Sequence, residues 1–266
     1  KASVPHQANI EHNNREFVAN NVSKDRISEN ITYIRQDIQE VYQQLFGKAL
    51  EEYNSKQKQP CRRIKDYFRH ISDSKREEAF YEIIVQFGDS KTAPCQSKTG
   101  EITKFMLDEY MKDFQKRNPN LHVFNAVLHM DEASPHLHVN FVPFYTKERK
   151  KGLSKGVSMK SALNEQGFTA KNFKENRLVA WEENERGIME KILNEYGFSR
   201  EDKNAKYEHK TVDEFKKSQD EKKIILALKE SRKVSDEKIS ADKIRRLNEK
   251  LKLVEKENKN LEVQKN

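Results

Sequence analysis

The chain has 266 residues, of which 35% are hydrophobic and 35% are charged, and its formal net charge is +8 at pH 7. No apolar run approaches the roughly 20 residues that a transmembrane helix needs, which excludes a membrane-spanning protein, and the positive charge favours a polyanionic partner such as nucleic acid. Cys61 and Cys95 form no CxxC motif, so free thiols and a cytoplasmic location are expected.

The N-terminal region is predicted to pass from irregular sequence into one long helix. Residues 1–25 are polar and rich in Asn, without the apolar core of a signal peptide. The chain begins with Lys1 rather than Met, so the native N-terminus is expected to be missing. Residues 27–57 carry apolar side chains at roughly helical intervals, which predicts a helix over this whole range with Ser28 as its cap.

The middle of the chain is predicted to contain strands around one helix. Residues 79–87, "AFYEIIVQF", are β-branched and aromatic, which indicates a strand. An amphipathic helix is predicted at residues 103–120, where an Asn-Pro pair stops it. Residues 121–130 and 136–144, "LHVFNAVLHM" and "HLHVNFVPF", have the pattern of two further strands, joined by the polar turn "DEASP".

Alternation along these two strands gathers three histidines. Because successive side chains point to opposite faces of a strand, antiparallel pairing can bring His129, His136 and His138 onto the same side of the sheet. His122 is predicted to face the opposite way from His129. The same alternation groups Val123, Asn125 and Val127 with His129, groups Asn140 and Val142 with the other two histidines, and leaves Leu137, Val139 and Phe141 to pack on the other face.

Two features follow the hairpin. Residues 147–160, "KERKKGLSKGVSMK", are predicted to form a flexible basic loop in which Lys150, Lys151 and Lys155 contact DNA phosphates. The alternative is a loop whose lysines serve solubility alone. Residues 177–198 have the apolar stripe of a second amphipathic helix.

Residues 218–266 are predicted to form a long helix that dimerises the protein. Apolar residues at alternating steps of three and four are typical of a coiled coil, with a monomeric, partly frayed helix as the alternative. The seam consists of Ile244, Leu247, Leu251, Val254, Asn258 and Leu261. The fold class expected for the chain is α+β, an antiparallel β-sheet flanked by helices and followed by a long C-terminal helix or coiled coil.

The histidine triplet predicts a metal site. A neutral imidazole is a common metal ligand, and three of them on adjacent strands can occupy one face of an ion and leave positions open for substrate. Ligand type alone allows Zn, Mn, Ni, Co or Cu. Asp131 or Glu132 on the turn can orient a ligand histidine or accept a proton. The alternative is a set of exposed polar residues on a sheet face beside a solvated acidic turn.

Three motifs resemble those of one enzyme family. "HMDEASPHLH", residues 129–138, resembles the H-x-D-E-x-[ST]-P-H-x-H motif of the MobV (Pre/Mob) plasmid mobilisation relaxases, a branch of the HUH endonucleases. "HNNR", residues 12–15, is similar to the family's H-N-x-R motif, and "EHKTVDEFKK", residues 208–217, to the segment that closes its catalytic domain. The resemblance extends over residues 12–217 and implies the HUH relaxase fold.

The resemblance implies a role for each matching residue. It implies a catalytic nucleophile in His12, metal ligands in His129, His136 and His138, assisting acids in Glu132 and Asp131, a phosphate-facing Arg15 with a catalytic role, and a DNA contact in Asn13. The ion is expected to be Mn or Mg. The family usually has a short strand before the H-N-x-R motif, and with eleven residues ahead of the histidine that strand is expected to be missing.

The function that the resemblance implies is that of a relaxase. Such an enzyme cleaves and rejoins DNA at a plasmid or mobile-element transfer origin, strand- and site-specifically, through a covalent phosphohistidine–DNA intermediate. Its partner is DNA that is single-stranded near the nick. Residues 1–217 would form the catalytic domain and residues 218–266 the dimerisation segment. The alternatives are a non-catalytic DNA-binding module, a rolling-circle replication initiator and a metal hydrolase of small molecules.

Overall fold

In the computed structural model, which describes residues 1–5, 8–74, 76–147, 152–170, 176–200 and 252, an antiparallel β-sheet carries helices on both faces. The strands are β1 (Ala2–Ser3), β2 (Ile31–Arg35), β3 (Tyr81–Val85), β4 (Leu121–His129), β5 (His136–Thr146) and β6 (Lys155–Val157). The α-helices are α1 (Ile10–Asn13), α2 (Ile38–Ser55), α3 (Tyr67–Ser72), α4 (Lys98–Lys112), α5 (Phe114–Arg117), α6 (Met159–Glu165) and α7 (Arg177–Glu195). Lys24–Glu29 and Pro60–Arg62 are 3₁₀ turns.

The sheet has six strands, and the β4–β5 hairpin lies at its centre. The strand order is β1-β3-β5-β4-β2, with β6 paired to the end of β5, and all pairs are antiparallel. His129 and His136 are register partners at the turn end of the hairpin. The predicted α+β class, antiparallel sheet and central hairpin are therefore confirmed, whereas the predicted coiled coil lies outside the described residues.

The two faces of the sheet are covered differently. Leu137, Val139 and Phe141 of β5 pack against apolar side chains of α4, α6 and α7, with Trp181 fully buried among them. On the other face, Val142 packs against side chains of α2 and α3. His136 and His138 point to this second face as well, but they lie at the opposite end of β5 from Val142. The histidines are therefore outside the part of the sheet that α2 and α3 cover.

A β-bulge in β4 corrects the predicted alternation. Val123 pairs with Phe141 and Asn125 with Asn140, so Phe124 is the additional residue and the pattern shifts by one position. Val123 therefore faces the α4 side, where it joins the buried cluster around Phe141. His122, the register partner of Val142, lies on the same face as His129, and the prediction that it faces the opposite way is wrong.

The helix predicted over residues 27–57 is correct only in its second half. Residues Ile31–Arg35 form the edge strand β2, paired with β4. Asp37 then caps α2, accepting hydrogen bonds from the backbone N–H groups of its second and third residues, so the cap is not Ser28. The apolar residues before Asp37 fit either a helix or a short strand, and pairing with β4 decides for the strand.

Three further expectations are corrected by the described residues. Residues 1–25 contain ordered elements, and the strand expected to be missing is represented by β1, which pairs with β3 at Ala2 and Val85. The predicted basic loop contains β6, so Lys155 lies on a strand. The helix predicted at residues 103–120 begins earlier, capped by Ser97. The other predicted helix, α7, ends at Glu195, and Gly197 follows its cap residue with φ of +78°, the terminating position expected for it.

Within the described part of the chain, no helix combines the length and the apolar character that crossing a membrane requires. Both cysteines carry free thiols, with Cys61 exposed and Cys95 buried. The expectation of free thiols is therefore confirmed.

Candidate active site

Four histidines converge at the turn end of the central hairpin. The ring centroids of His129, His136 and His138 lie 4.7–5.2 Å from one another. The ring of His12, from α1, has its centroid 5.8 Å from that of His129 and 6.2 Å from that of His138. The placement of the three hairpin histidines on one side of the sheet is as predicted, and α1 brings the fourth to them.

Two of these rings are fixed by backbone carbonyls. His129 Nε2 lies 2.8 Å from the carbonyl oxygen of Asn13, and His136 Nδ1 lies 2.8 Å from that of Ser134. A carbonyl oxygen can only accept, so both nitrogens carry the proton. The atoms that remain for a ligand or metal ion are therefore His129 Nδ1 and His136 Nε2.

The third ring is fixed by Glu82, a residue that the sequence analysis missed. Glu82 lies on β3 opposite Asn140 and is almost fully buried, and its Oε1 is 2.8 Å from His138 Nδ1. The side-chain amides of Asn13 and Asn140 donate to the same oxygen at 2.5 and 3.4 Å. Because that oxygen accepts, His138 Nδ1 is the donor, and its lone pair is on Nε2. The sequence signal that could have identified Glu82 is the presence of a carboxylate inside the apolar strand "AFYEIIVQF".

The nitrogens left over fit a divalent ion. His129 Nδ1 and His138 Nε2 are buried and have no hydrogen-bond partner among the described residues, an unfavourable state for polar atoms that lack a ligand. Burial, with a smaller effect of the neighbouring His138, lowers the pKa of His129 to about 3, and burial also lowers the pKa of His138 well below its usual value. Both rings are therefore neutral, as metal ligands must be.

Two overlapping sets of candidate ligand atoms have metal-site spacing. One set joins His129 and His138 to His12, and the other joins His129 and His136 to Glu132, with all atoms of a set within 4.8 Å of one another. His129 belongs to both sets. The three hairpin histidines are the members whose second nitrogens are anchored to acceptors, which is the usual arrangement around histidine ligands.

Glu132 lies between the nucleophile candidate and the metal-ligand candidates. Its Oε1 is 3.2 Å from His12 Nε2, 3.8 Å from His129 Nδ1 and 3.9 Å from His136 Nε2. Burial alone would raise the pKa of this carboxyl, but His136 and Arg15 outweigh burial and lower the pKa below its usual value. Glu132 is therefore a charged acceptor in direct contact with His12, consistent with the assisting role that the motif implies.

Asp131 holds the N-terminal segment against the hairpin. It is fully buried and accepts two hydrogen bonds from Arg15, at 2.6 and 2.8 Å, and one from Asn30 at 2.7 Å. Burial would raise the pKa of Asp131, but the bonds from Arg15 and Asn30 lower it below the usual value. A buried ion pair of this kind is stable only while both partners are present. The contacts of Asp131 therefore indicate a positioning role rather than proton transfer.

Arg15 fixes the position of His12. Its backbone has φ of +55°, a left-handed conformation that is unfavourable for a side chain of this size. Its Nη1 donates to the carbonyl oxygen of His12 at 2.8 Å and lies 3.2 Å from His12 Nε2. A guanidinium can only donate and a carboxylate can only accept, so His12 Nε2 accepts from Arg15 when the ring proton is on Nδ1 and donates to Glu132 when it is on Nε2. The His12 side chain is 21% exposed, which leaves the ring accessible to a substrate.

The residues predicted to contact DNA are placed differently. The Asn13 side chain is buried against Glu82 and Asn140, and the Arg15 guanidinium is bound by Asp131, so both placements argue against a direct phosphate contact. Lys155 Nζ lies 4.3 Å from the centre of the Phe144 ring. Lys150 and Lys151 lie outside the described residues.

Comparison with known proteins identifies related sequences and structures. The family model Mob_Pre, described as "Plasmid recombination enzyme", matches residues 6–217. Solved structures of the "MobM Relaxase Domain (MOBV; Mob_Pre)", Mn-bound and in complex with plasmid pMV158 oriT DNA, also match. The crystal at pH 5.5 is 18% identical, with 82% of this chain and 98% of that chain covered and a TM-score of 0.47. The crystal at pH 4.6 is 20% identical, with 81% and 97% covered and a TM-score of 0.45. No curated protein matched the chain.

The residues matched by the family model include all three motifs on which the resemblance was based. The match begins ahead of "HNNR", continues through "HMDEASPHLH" and ends at the last residue of "EHKTVDEFKK". The predicted kinship is thereby confirmed over most of the chain's length, and the chain belongs to the Mob_Pre family of plasmid recombination enzymes.

Proposed function

We propose that this protein is a relaxase that nicks and rejoins one DNA strand at a plasmid or mobile-element transfer origin. The observation that carries the proposal is the position of His12 Nε2, in contact with Arg15 and Glu132 and beside three histidines with anchored rings. Membership of the Mob_Pre family supports a DNA-processing enzyme. It does not favour a small-molecule hydrolase, a non-catalytic DNA-binding module or a rolling-circle replication initiator.

His129, His136 and His138 would hold a divalent ion, for which Mn or Mg is expected. Bound there, the ion offsets negative charge that develops on the oxygens of the phosphate under attack. The chain itself supplies the orientation of the ligands. Glu82 and two backbone carbonyls hold the second ring nitrogens, so each lone pair is directed without a change of tautomer.

His12 would be the nucleophile. Its Nε2 forms a bond to phosphorus while the bond between phosphorus and the 3′ oxygen breaks, and the proton of Nδ1 leaves the ring as the 3′ oxygen gains one. The product is a phosphohistidine on the 5′ end and a free 3′ hydroxyl, and the reverse sequence rejoins the strand. In the reactive tautomer Nε2 accepts from Arg15, and Glu132 accepts the proton from any His12 that carries one on Nε2.

An exposed run of cations supports binding of a DNA backbone. The segment between α2 and α3 presents Lys56, Lys58, Arg62, Arg63 and Lys65 to solvent. The helices on either side of this segment cover the same face of the sheet that carries the histidines. A strand whose phosphate lies at His12 could therefore continue along this basic segment, where phosphate contacts position DNA irrespective of sequence. Lys155 on β6 and the predicted contacts Lys150 and Lys151 would extend it.

We also propose that residues 218–266 dimerise the protein and that it acts in the cytoplasm. The dimer proposal is supported by the heptad pattern of the seam. Sedimentation should show a concentration-dependent dimer for the full chain and a monomer for a version that ends near residue 220. Identical monomers for both would refute the seam.

A plasmid nicking assay tests the proposed function. Supercoiled plasmid carrying a candidate transfer origin is incubated with the protein and Mn²⁺ or Mg²⁺, with EDTA and an origin-free plasmid as controls. A relaxase converts only the origin plasmid to open circles, only with metal, and leaves protein on the 5′ end of one strand. A shift in gel mobility without open circles would instead support a non-catalytic DNA-binding protein.

A further inference from the structure

An exposed apolar tip lies beside the candidate nucleophile. In the described part of the chain, five large hydrophobic side chains are exposed, and two of them are neighbours, Phe17 at 44% and Val18 at 41%. The ring centroid of Phe17 is 6.0 Å from that of His12, with the ring planes at 51°. Phe17 and Val18, here called the tip, therefore form solvent-accessible apolar surface close enough to His12 to contact a ligand bound there.

The tip is fixed at both ends. On its N-terminal side, Arg15 is bound to Asp131, and the Glu16 backbone N–H donates to the Glu11 carbonyl at 2.9 Å. On its C-terminal side, the Ser23 backbone N–H donates to the Asp131 carbonyl at 2.8 Å, and Asn21 donates to Glu132 at 2.8 Å. Both attachments lead to the turn between β4 and β5, so the segment that carries Phe17 is held against the catalytic hairpin.

The tip offers no charge to a phosphate. The cation before it, Arg15, has a side chain only 6% exposed and is paired with carboxylates. The acid beside it, Glu16, is paired with Arg35 at 3.1 Å, and the residues that follow are Phe17, Val18 and Ala19. Of the parts of a nucleotide, only the flat face of a base is complementary to this surface.

We propose that Phe17 is a stacking platform for an unpaired base next to the phosphate that His12 attacks. This inference rests on the proposed function, since that function brings single-stranded DNA to His12. In a duplex each base is already stacked on its neighbours, so the platform selects DNA that has been opened. Because every base has a π-face, the contact is tolerant of sequence, and Val18 widens the apolar surface beside the ring.

Binding of single-stranded oligonucleotides tests the platform. Phe17→Ala should weaken affinity for a transfer-origin oligonucleotide about 5- to 150-fold, the effect of losing one base–aromatic stack. Phe17→Tyr should retain affinity, since the aromatic face is kept. The dependence of affinity on salt should not change, because no phosphate contact is lost. Phe105→Ala is the matched control, since Phe105 is 59% exposed on α4, which covers the other face of the sheet.

A fluorescence measurement separates this inference from the nicking reaction. The one native tryptophan, Trp181, is fully buried, so Phe17→Trp places the only accessible indole at the tip. Its emission should be quenched by single-stranded DNA and protected from iodide, and much less so by duplex DNA. Unchanged emission, or a Phe17→Ala protein that binds and nicks like the wild type, would overturn the platform while leaving the relaxase proposal intact. Normal quenching of the Phe17→Trp protein together with a wild-type protein that never nicks would overturn the relaxase proposal instead.

Discussion

Replacing His12 by Ala should abolish nicking of transfer-origin plasmid, with a loss in rate on the order of 10⁴-fold or more, as expected when a covalent nucleophile is removed. Affinity for single-stranded DNA and for Mn²⁺ should be largely retained, because neither the basic segment nor the three hairpin histidines are altered. The rate is measured as open circles formed per minute, and metal affinity by calorimetry. His70→Ala, a surface histidine on α3, is the matched control and should nick normally.

The bond to DNA provides a second, independent readout. A phosphohistidine is a phosphoramidate, so the wild-type protein–DNA adduct should be labile in acid and stable in alkali, unlike a phosphotyrosine ester. Among the nine tyrosines, Tyr33 is the nearest to His12 in sequence, but its hydroxyl donates to Asp108 at 3.1 Å, and burial raises its pKa. An acid-stable adduct, or a His12→Ala protein that still forms one, would assign the nucleophile elsewhere.

His138→Ala should remove the divalent ion and, with it, the nicking activity. The ring of His138 is deeply buried and its Nε2 has no protein partner among the described residues, so no neighbouring group there compensates for its loss. Wild-type protein should be stabilised against thermal unfolding by saturating Mn²⁺, by about 2.7 kcal/mol at one hundred times the dissociation constant. The variant should show no such stabilisation. His122→Ala, on the same strand face as His129, is the control and should respond to Mn²⁺ normally.

Replacing Glu82 should have an intermediate effect in the same measurement of Mn²⁺ binding. Because Glu82 accepts the second N–H of His138, Glu82→Ala should weaken Mn²⁺ binding about 10- to 100-fold without abolishing it. Comparison with His12→Ala then decides between the two candidate ligand sets. If His12→Ala loses the ion as completely as His138→Ala, then His12 is a ligand and the assignment of the three hairpin histidines as the complete protein set is wrong.

The sequence was sufficient to predict the β4–β5 hairpin but not the details of the bulge or of the neighbouring strand β2. Alternating polar and apolar residues indicated β4 and β5, and antiparallel pairing of these strands predicted that His129, His136 and His138 share one side of the sheet. The bulge at Phe124 was not predictable, because a bulge depends on which residues of the partner strand pair with it. For Ile31–Arg35, apolar spacing suited helix and strand equally, and long-range pairing with β4 made the choice.

Glu82 was missed for a related reason. Nothing near residue 82 in the sequence indicates a histidine partner, since His138 is 56 positions away and is brought opposite only by the pairing of β3 with β5. Asn13 illustrates the same limit. The motif marks it as functional, but only the fold reveals that its carbonyl and amide contact His129 and Glu82. The coiled-coil seam lies outside the described residues and stays a prediction.

The bulge in β4 divides that strand into two halves, which differ in whether odd- or even-numbered residues point to the α4 side. Before Phe124, odd-numbered residues such as Leu121 and Val123 enter the α4 side, and after it even-numbered residues such as Ala126 and Leu128 do so. Deleting Phe124 would restore a regular ladder with both halves in their present orientation, because Val123 and Asn125 already pair with consecutive residues of β5. A one-residue insertion or deletion between Asn125 and His129, by contrast, would shift the register of that half and exchange catalytic surface for buried surface in a single step.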